Sequence, residues 1–174
     1  MDALKAVFTR RSIRKYKKKR VPASLVKKLI DAARMAPSSF NEQSSVFVTV
    51  TKKETKERLA EYKSQKSKFM KDAPLIIACC YDTTRARTKA HNLENVAVAA
   101  ENILIAANAL GLGACYIGGF DPEYPEIEES IINALKLPIN IKIVCLISIG
   151  YPDEKPNKKV LRAISDVWKK ETYT

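Results

Sequence analysis

Strands and helices alternate along this chain, which predicts an α/β or α+β fold around a mixed sheet of about four or five strands. Three observations carry that expectation. An amphipathic helix pattern follows a basic N-terminal run, a long helix rich in Ala and Leu occupies the middle, and short apolar runs of strand length separate the helices. At 174 residues the chain fits one domain, 1–174, long enough to bury a substantial core.

Each element has its own signal. Asp2 to Phe8 reads as a short helix. In "PASLVKKLIDAARMAP" the apolar positions 25, 26, 29, 30 and 33 form one stripe of a helix that begins at Pro22 and stops before Pro37. "SVFVTV" (45–50) alternates and is β-rich, so it is a strand, and Lys53 to Tyr62 is a surface helix by composition. "PLIIACCY" (74–81) is a continuous apolar run, as in a strand buried on both faces. "NVAVAAENILIAANALGLG" (95–113) is apolar nearly all round and ends at Gly111 as a C-cap glycine would end it, so it is expected to be the central buried helix. A short strand and glycine turn in "ACYIGGF" follow, then a helix around Ile127 to Leu135, then the central strand "IKIVCLISIGYP" (141–152). The tail from Val160 to Thr174 carries Val160, Leu161, Ile164, Val167 and Trp168 without a local partner for them.

Composition removes several classes of chemistry. No run of about 18 apolar residues exists to cross a membrane, and the N-terminus lacks a signal-peptide core, so the expected location is the cytoplasm. Cys79, Cys80, Cys115 and Cys145 form no Cys-x-x-Cys pair and sit in apolar stretches, which reads as buried thiols in a reducing compartment and not as a metal site. With His91 the only histidine, a Ser–His or Cys–His hydrolase is hard to build. The net charge of +12 admits anionic small molecules, nucleic acid or an acidic membrane, or a merely soluble surface, since many lysines are dispersed. A recognition helix, a zinc module and aromatics interleaved with the charge are all missing, which argues against the nucleic-acid and membrane readings.

Three stretches could carry chemistry. In "RRSIRKYKKKR" (10–20), an extended backbone would put Arg10, Ser12 and Arg14 on one side, where two guanidiniums and a hydroxyl make a phosphate receptor. In "APSSFNEQSS" (36–45), Ser38, Ser39, Asn41 and Gln43 could offer amides and hydroxyls to a polar ring edge. In "GLGACYIGG" (111–119), Gly118 and Gly119 leave no side chain between the backbone and something flat.

In this order, and with Gly-Tyr-Pro after the last strand, these motifs resemble the nitroreductase family from about Ala6 to Trp168. The resemblance implies an FMN-binding α+β fold, with helices flanking a mixed central sheet, and an intertwined homodimer with flavins at the subunit interface. It implies that Arg10, Arg11, Ser12 and Arg14 form the N-terminal flavin motif, with Arg10 and Ser12 on the phosphate and Arg14 near the pyrimidine edge. Pro37, Ser38, Ser39, Asn41 and Gln43 match the loop that reaches the flavin from the other subunit, and Ile117, Gly118 and Gly119 match the segment over one ring face. Lys159 and Arg162 are both candidates for the basic residue that completes the phosphate site. Lys17 to Arg20 are left as a solvated face.

The activity implied is reduction of FMN by NADH or NADPH, then of a nitroaromatic, quinone or similar small-molecule acceptor at the same face, in ping-pong order. No catalytic side chain is named, because hydride transfer needs none. The chain departs from the family in two places. Gln43 is followed by Ser44-Ser45 where the family usually has Pro-Trp, and no insertion is long enough to form a lid over the flavin. A specialised flavoprotein of the same fold, or a flavin binder without turnover, is the alternative reading.

Overall fold

The computed structural model describes residues 1–62, 65–86, 89–118 and 125–173. The first helix, α1 (Ala3–Thr9), starts where the Asp2 carboxylate accepts the backbone N–H groups of Leu4 and Lys5. Next come α2 (Ala23–Arg34), β1 (Ser45–Val50), α3 (Lys53–Tyr62), a 3₁₀ stretch (Gln65–Asp72) and β2 (Leu75–Asp82). The chain continues through α4 (Asn92–Ala109), β3 (Gly113–Ile117), α5 (Pro125–Leu135), β4 (Ile141–Gly150) and a short α6 (Ile164–Val167).

The sheet has the order β1-β2-β4-β3. Its strands pair antiparallel throughout, and among the described residues the parallel component of the expected mixed sheet is a single bridge from Ser12 to Ala114 of β3. The continuous apolar character of β2 and β4 has a plain cause: helices cover both faces. Leu75, Ile77 and Cys79 join Cys145, Ile147 and Ile149 against Leu29 of α2 and Val96, Ala100 and Ile103 of α4. Ile76, Ala78 and Cys80 face the other way, onto Leu59 of α3, Met70 and Ile131 of α5. Pairing passes from Cys79–Cys145 to Cys80–Ile143, so Val144 is an extra residue on β4. The bulge puts Ile143 and Cys145, two positions apart, into the cores on opposite faces.

The central helix is buried on one face and not all round. Val96, Ala99, Ala100, Ile103, Leu104 and Ala107 are buried, while Leu93 is 62% and Val98 41% exposed. It also begins earlier than its apolar run, at Asn92, and both Asn92 and Asn95 are buried polar residues. The tail is open to solvent, with Val160 93% and Trp168 64% exposed. Among the described residues no helix is long and apolar enough to cross a membrane.

Candidate functional site

The basic run is extended, and it is held from two sides. The Ile13 N–H donates to Ala114 O at 3.0 Å, the Lys17 N–H to Tyr151 O at 2.9 Å and the Asp153 N–H to Lys15 O at 3.0 Å. Ile13 and Tyr16 are buried, and the Tyr16 hydroxyl donates to Ile13 O and lies 2.8 Å from Ser148 Oγ. Burial therefore raises the Tyr16 hydroxyl far above the usual phenol range, so it stays protonated and keeps donating. Gly113 allows the approach: a Cβ there would lie 2.7 Å from Ile13 Cβ.

Side chains left outside by this anchoring line a hollow of about 480 Å³, formed by Arg11, Ser12, Arg14, Glu154, Lys155, Pro156 and Asn157. The Glu154 carboxylate accepts the backbone N–H groups of Arg14 and Lys15, so one carboxylate tied to backbone faces three cations. Arg10 lines an adjoining crevice of about 150 Å³ that shares Arg11, Glu154 and Pro156 with the hollow. Burial raises the Cys115 thiol against the opposing influence of Arg14, the Ser12 hydroxyl and Arg10. The Arg14 guanidinium also lies 5.9 Å from the centre of the Phe69 ring. Three cations, a hydroxyl and an amide around one hollow form a donor set suited to a phosphate dianion.

Neither Lys159 nor Arg162 lines the hollow. Both are exposed, and Arg162 Nη2 reaches Asp166 O at 3.5 Å within the tail. Lys155 and Asn157 are there instead, because the chain turns along the Arg11–Arg14 segment directly after Pro152.

The 37–43 loop is built from unusual backbone. Phe40, Asn41 and Gln43 all have positive φ, at 51°, 54° and 50°. Its geometry is held by the Gln43 N–H donating to Ser38 Oγ at 3.0 Å and the Ser39 N–H donating to Asn95 Oδ1 at 3.0 Å. Ser44 then takes the place of the usual Pro with polar contacts: it is fully buried, its carbonyl accepts the Asp82 N–H at 2.8 Å, and its hydroxyl lies 3.4 Å from Asn92 Oδ1. Pro37, Ser38, Gln43 and Asn95 line a cavity of about 800 Å³ that also touches Ala33, Phe47 and Ala99. The Asn95 Nδ2 group, in a residue only 5% exposed, has no hydrogen-bond partner among the described residues.

The third motif is only partly described. Ile117 points into the core beside Ile131 and Leu146, so it can offer a ligand backbone but not side chain. A Cβ on Gly118 would lie 2.7 Å from Tyr116 Cε1, and Gly119 lies outside the described residues. The basic hollow and the 37–43 loop belong to different parts of one chain. The loop is fastened to α4 at Asn95, and the end of α1 at Glu101 and Asn108, about 9 to 20 Å further along the helix axis. The 480 Å³ hollow and the 800 Å³ cavity share no lining residue.

A family model described as the Nitroreductase family matches residues 7–68 and 61–151. The chain belongs to the nitroreductase family. Among its nitroreductase relatives, a protein of Methanothermobacter thermautotrophicus, provisionally named NADH dehydrogenase/NAD(P)H nitroreductase, is 35% identical over 92% of this chain and 83% of its own. An FMN reductase [NAD(P)H] of Bacillus subtilis is 29% identical over 99% of this chain and 74% of its own. The solved structure of an FMN-dependent nitroreductase from Clostridium difficile superposes with a TM-score of 0.80 at 33% identity, covering 94% of this chain and 93% of that one.

Proposed function

We propose that this protein is an FMN-dependent NAD(P)H oxidoreductase whose flavin sites are completed between two copies of the chain. The observation that carries the reading is the hollow of Arg11, Ser12, Arg14 and Lys155, which suits a phosphate, together with a polar loop that one chain keeps apart from it. A second copy supplies the missing half, as the family resemblance implies. Apolar surface for such a partner is present in the open face of α4 at Leu93 and Val98, in Leu4 and Phe8 of α1, and in the exposed tail.

In this reading Ser12, Arg11 and Lys155 hold the phosphate, with Arg10 alongside. Arg14, seated against Phe69, presents positive charge to the pyrimidine edge, where negative charge builds as the ring is reduced. The backbone at Ile117 and Gly118 borders one ring face, and Ser38, Ser39, Asn41 and Gln43 come from the partner. FMN supplies hydride and electron transfer, and the protein binds it, orients it and tunes it. NADH or NADPH donates, and nitroaromatics, quinones or similar small molecules accept in ping-pong order. No catalytic acid or base is assigned.

The purified protein should be yellow, should elute as a dimer, and should bleach when NADH or NADPH is added without oxygen. Arg10→Ala and Ser12→Ala should each lower flavin content and leave the dimer intact. A colourless monomer that takes up no added FMN would overturn the proposal, and a yellow protein that never bleaches would leave only flavin binding.

A further inference from the structure

Arg10 does not stand free beside the anion hollow. Its Nε lies 3.3 Å from Glu101 Oε1 on α4, with the two side chains 23% and 50% exposed. Glu101, Leu104 and Asn108 follow each other at three- and four-residue spacing, so they share the helix face that receives the end of α1. On that face Asn108 Nδ2 donates to Ala6 O and to Thr9 Oγ1, both at 2.8 Å. Arg11 Nη1 donates to Phe8 O at 2.9 Å and to Arg10 O at 2.7 Å. The Arg10 backbone is thereby fixed, and Glu101 fixes its side chain. The Nη groups of Arg10 form no hydrogen bond among the described residues, so the donors left over are the paired ones at the tip of the fork.

We infer that Glu101 is a positioning residue for anion capture: its ion pair with Arg10 Nε keeps that side chain beside the hollow and leaves the two Nη groups for the phosphoryl group. The inference rests on the reading that FMN binds in the adjoining hollow. Two effects oppose each other. A carboxylate near a phosphate repels it, but Glu101 is half exposed, and solvent screens its charge. Holding a long side chain in its bound rotamer before the ligand arrives removes an ordering cost that binding would otherwise meet. Glu101 meets Arg10 at 3.3 Å and does not line the hollow, so its short-range pairing with Arg10 outweighs its screened repulsion of the phosphate.

The test is a double-mutant cycle on FMN affinity, read by quenching of flavin fluorescence, in full-length protein freed of flavin. Glu101→Ala should weaken FMN binding about two- to fivefold. Arg10→Ala should weaken it about tenfold, and adding Glu101→Ala to that variant should change nothing further. Glu101→Gln keeps the shape of the side chain and removes the charge of the ion pair, so it should weaken binding as Glu101→Ala does, and only while Arg10 is present. An equal loss from Glu101→Ala with and without Arg10 would show that Glu101 serves the fold and would overturn the inference, as would unchanged or tighter binding. Glu101→Gln in the same cycle decides the matter if the alanine variant does not fold. A wild-type protein that takes up no FMN overturns the oxidoreductase reading with it, whereas wild-type uptake with a flat cycle overturns only the role of Glu101.

Discussion

Ser39 donates its backbone N–H to the side chain of Asn95 across 3.0 Å, tying a loop to a helix 56 residues away. Three left-handed non-glycine residues follow within that loop or at its end, and each costs conformational energy that the surroundings must offset. Asn95→Ala should therefore loosen the loop more than it destabilises the fold. Limited proteolysis should show faster cleavage between residues 38 and 44, while the unfolding free energy measured in urea falls by about 1 kcal/mol or less, because the unpaired Nδ2 is removed with the acceptor.

Gly113 and Gly111 make a matched pair. A Cβ on Gly113 meets Ile13, whose backbone carries Ser12 along β3; one on Gly111 meets nothing within 4 Å, but φ there is +75°. Gly113→Ala should cost about 1–3 kcal/mol and lower flavin content, since the anion-binding segment must move. Gly111→Ala should cost about 1–2 kcal/mol through backbone strain and leave flavin content unchanged. Chemical denaturation and the ratio of visible to ultraviolet absorbance measure both.

Lys155 lines the basic hollow, whereas Lys159 and Arg162 lie on the exposed tail. Lys155→Ala should weaken FMN binding about fivefold, in line with the loss of one exposed charge contact. Lys159→Ala and Arg162→Ala should leave it within about twofold, as expected of surface substitutions. Fluorescence titration of the three variants ranks them, and a larger loss at either tail residue would reassign the phosphate contact.

All four cysteines are free and buried. The Cys79 thiol is raised by its hydrogen bond to Cys145 and by burial, and burial pushes Cys80 up to about 12. Raised values mean fewer thiolates at any pH below them, and Cys145, which its hydrogen bond with Cys79 lowers, is fully buried, so native protein should react with Ellman's reagent slowly from pH 7 to 9. In guanidinium all four thiols should react at once.

How far the sequence carried depends on whether the deciding forces were local. The bounds of β1 and α3 were legible because alternation and surface composition are properties of a few consecutive residues. The extended form of residues 10–16 was legible too, since the alternation of side chains at close spacing does not depend on distant partners. The antiparallel order β1-β2-β4-β3 was not legible, because strands covered on both faces lose the alternation that would reveal their surroundings. Nor was the Val144 bulge, which arises only when two strands are paired.

Side chains that act by orientation were hidden as well. Asn95 and Glu101 look like ordinary helix residues, and they matter only because folding brings Ser39 and Arg10 against them. Lys155 lines the hollow, and Lys159 and Arg162 do not, because the path of the chain after Pro152 is set by hydrogen bonds to residues 15–17, not by spacing along the tail. Local sequence thus determined which groups the protein offers to an anion. Tertiary structure decided which of them point the same way, since direction is a property of the packed backbone and not of the residues listed along it.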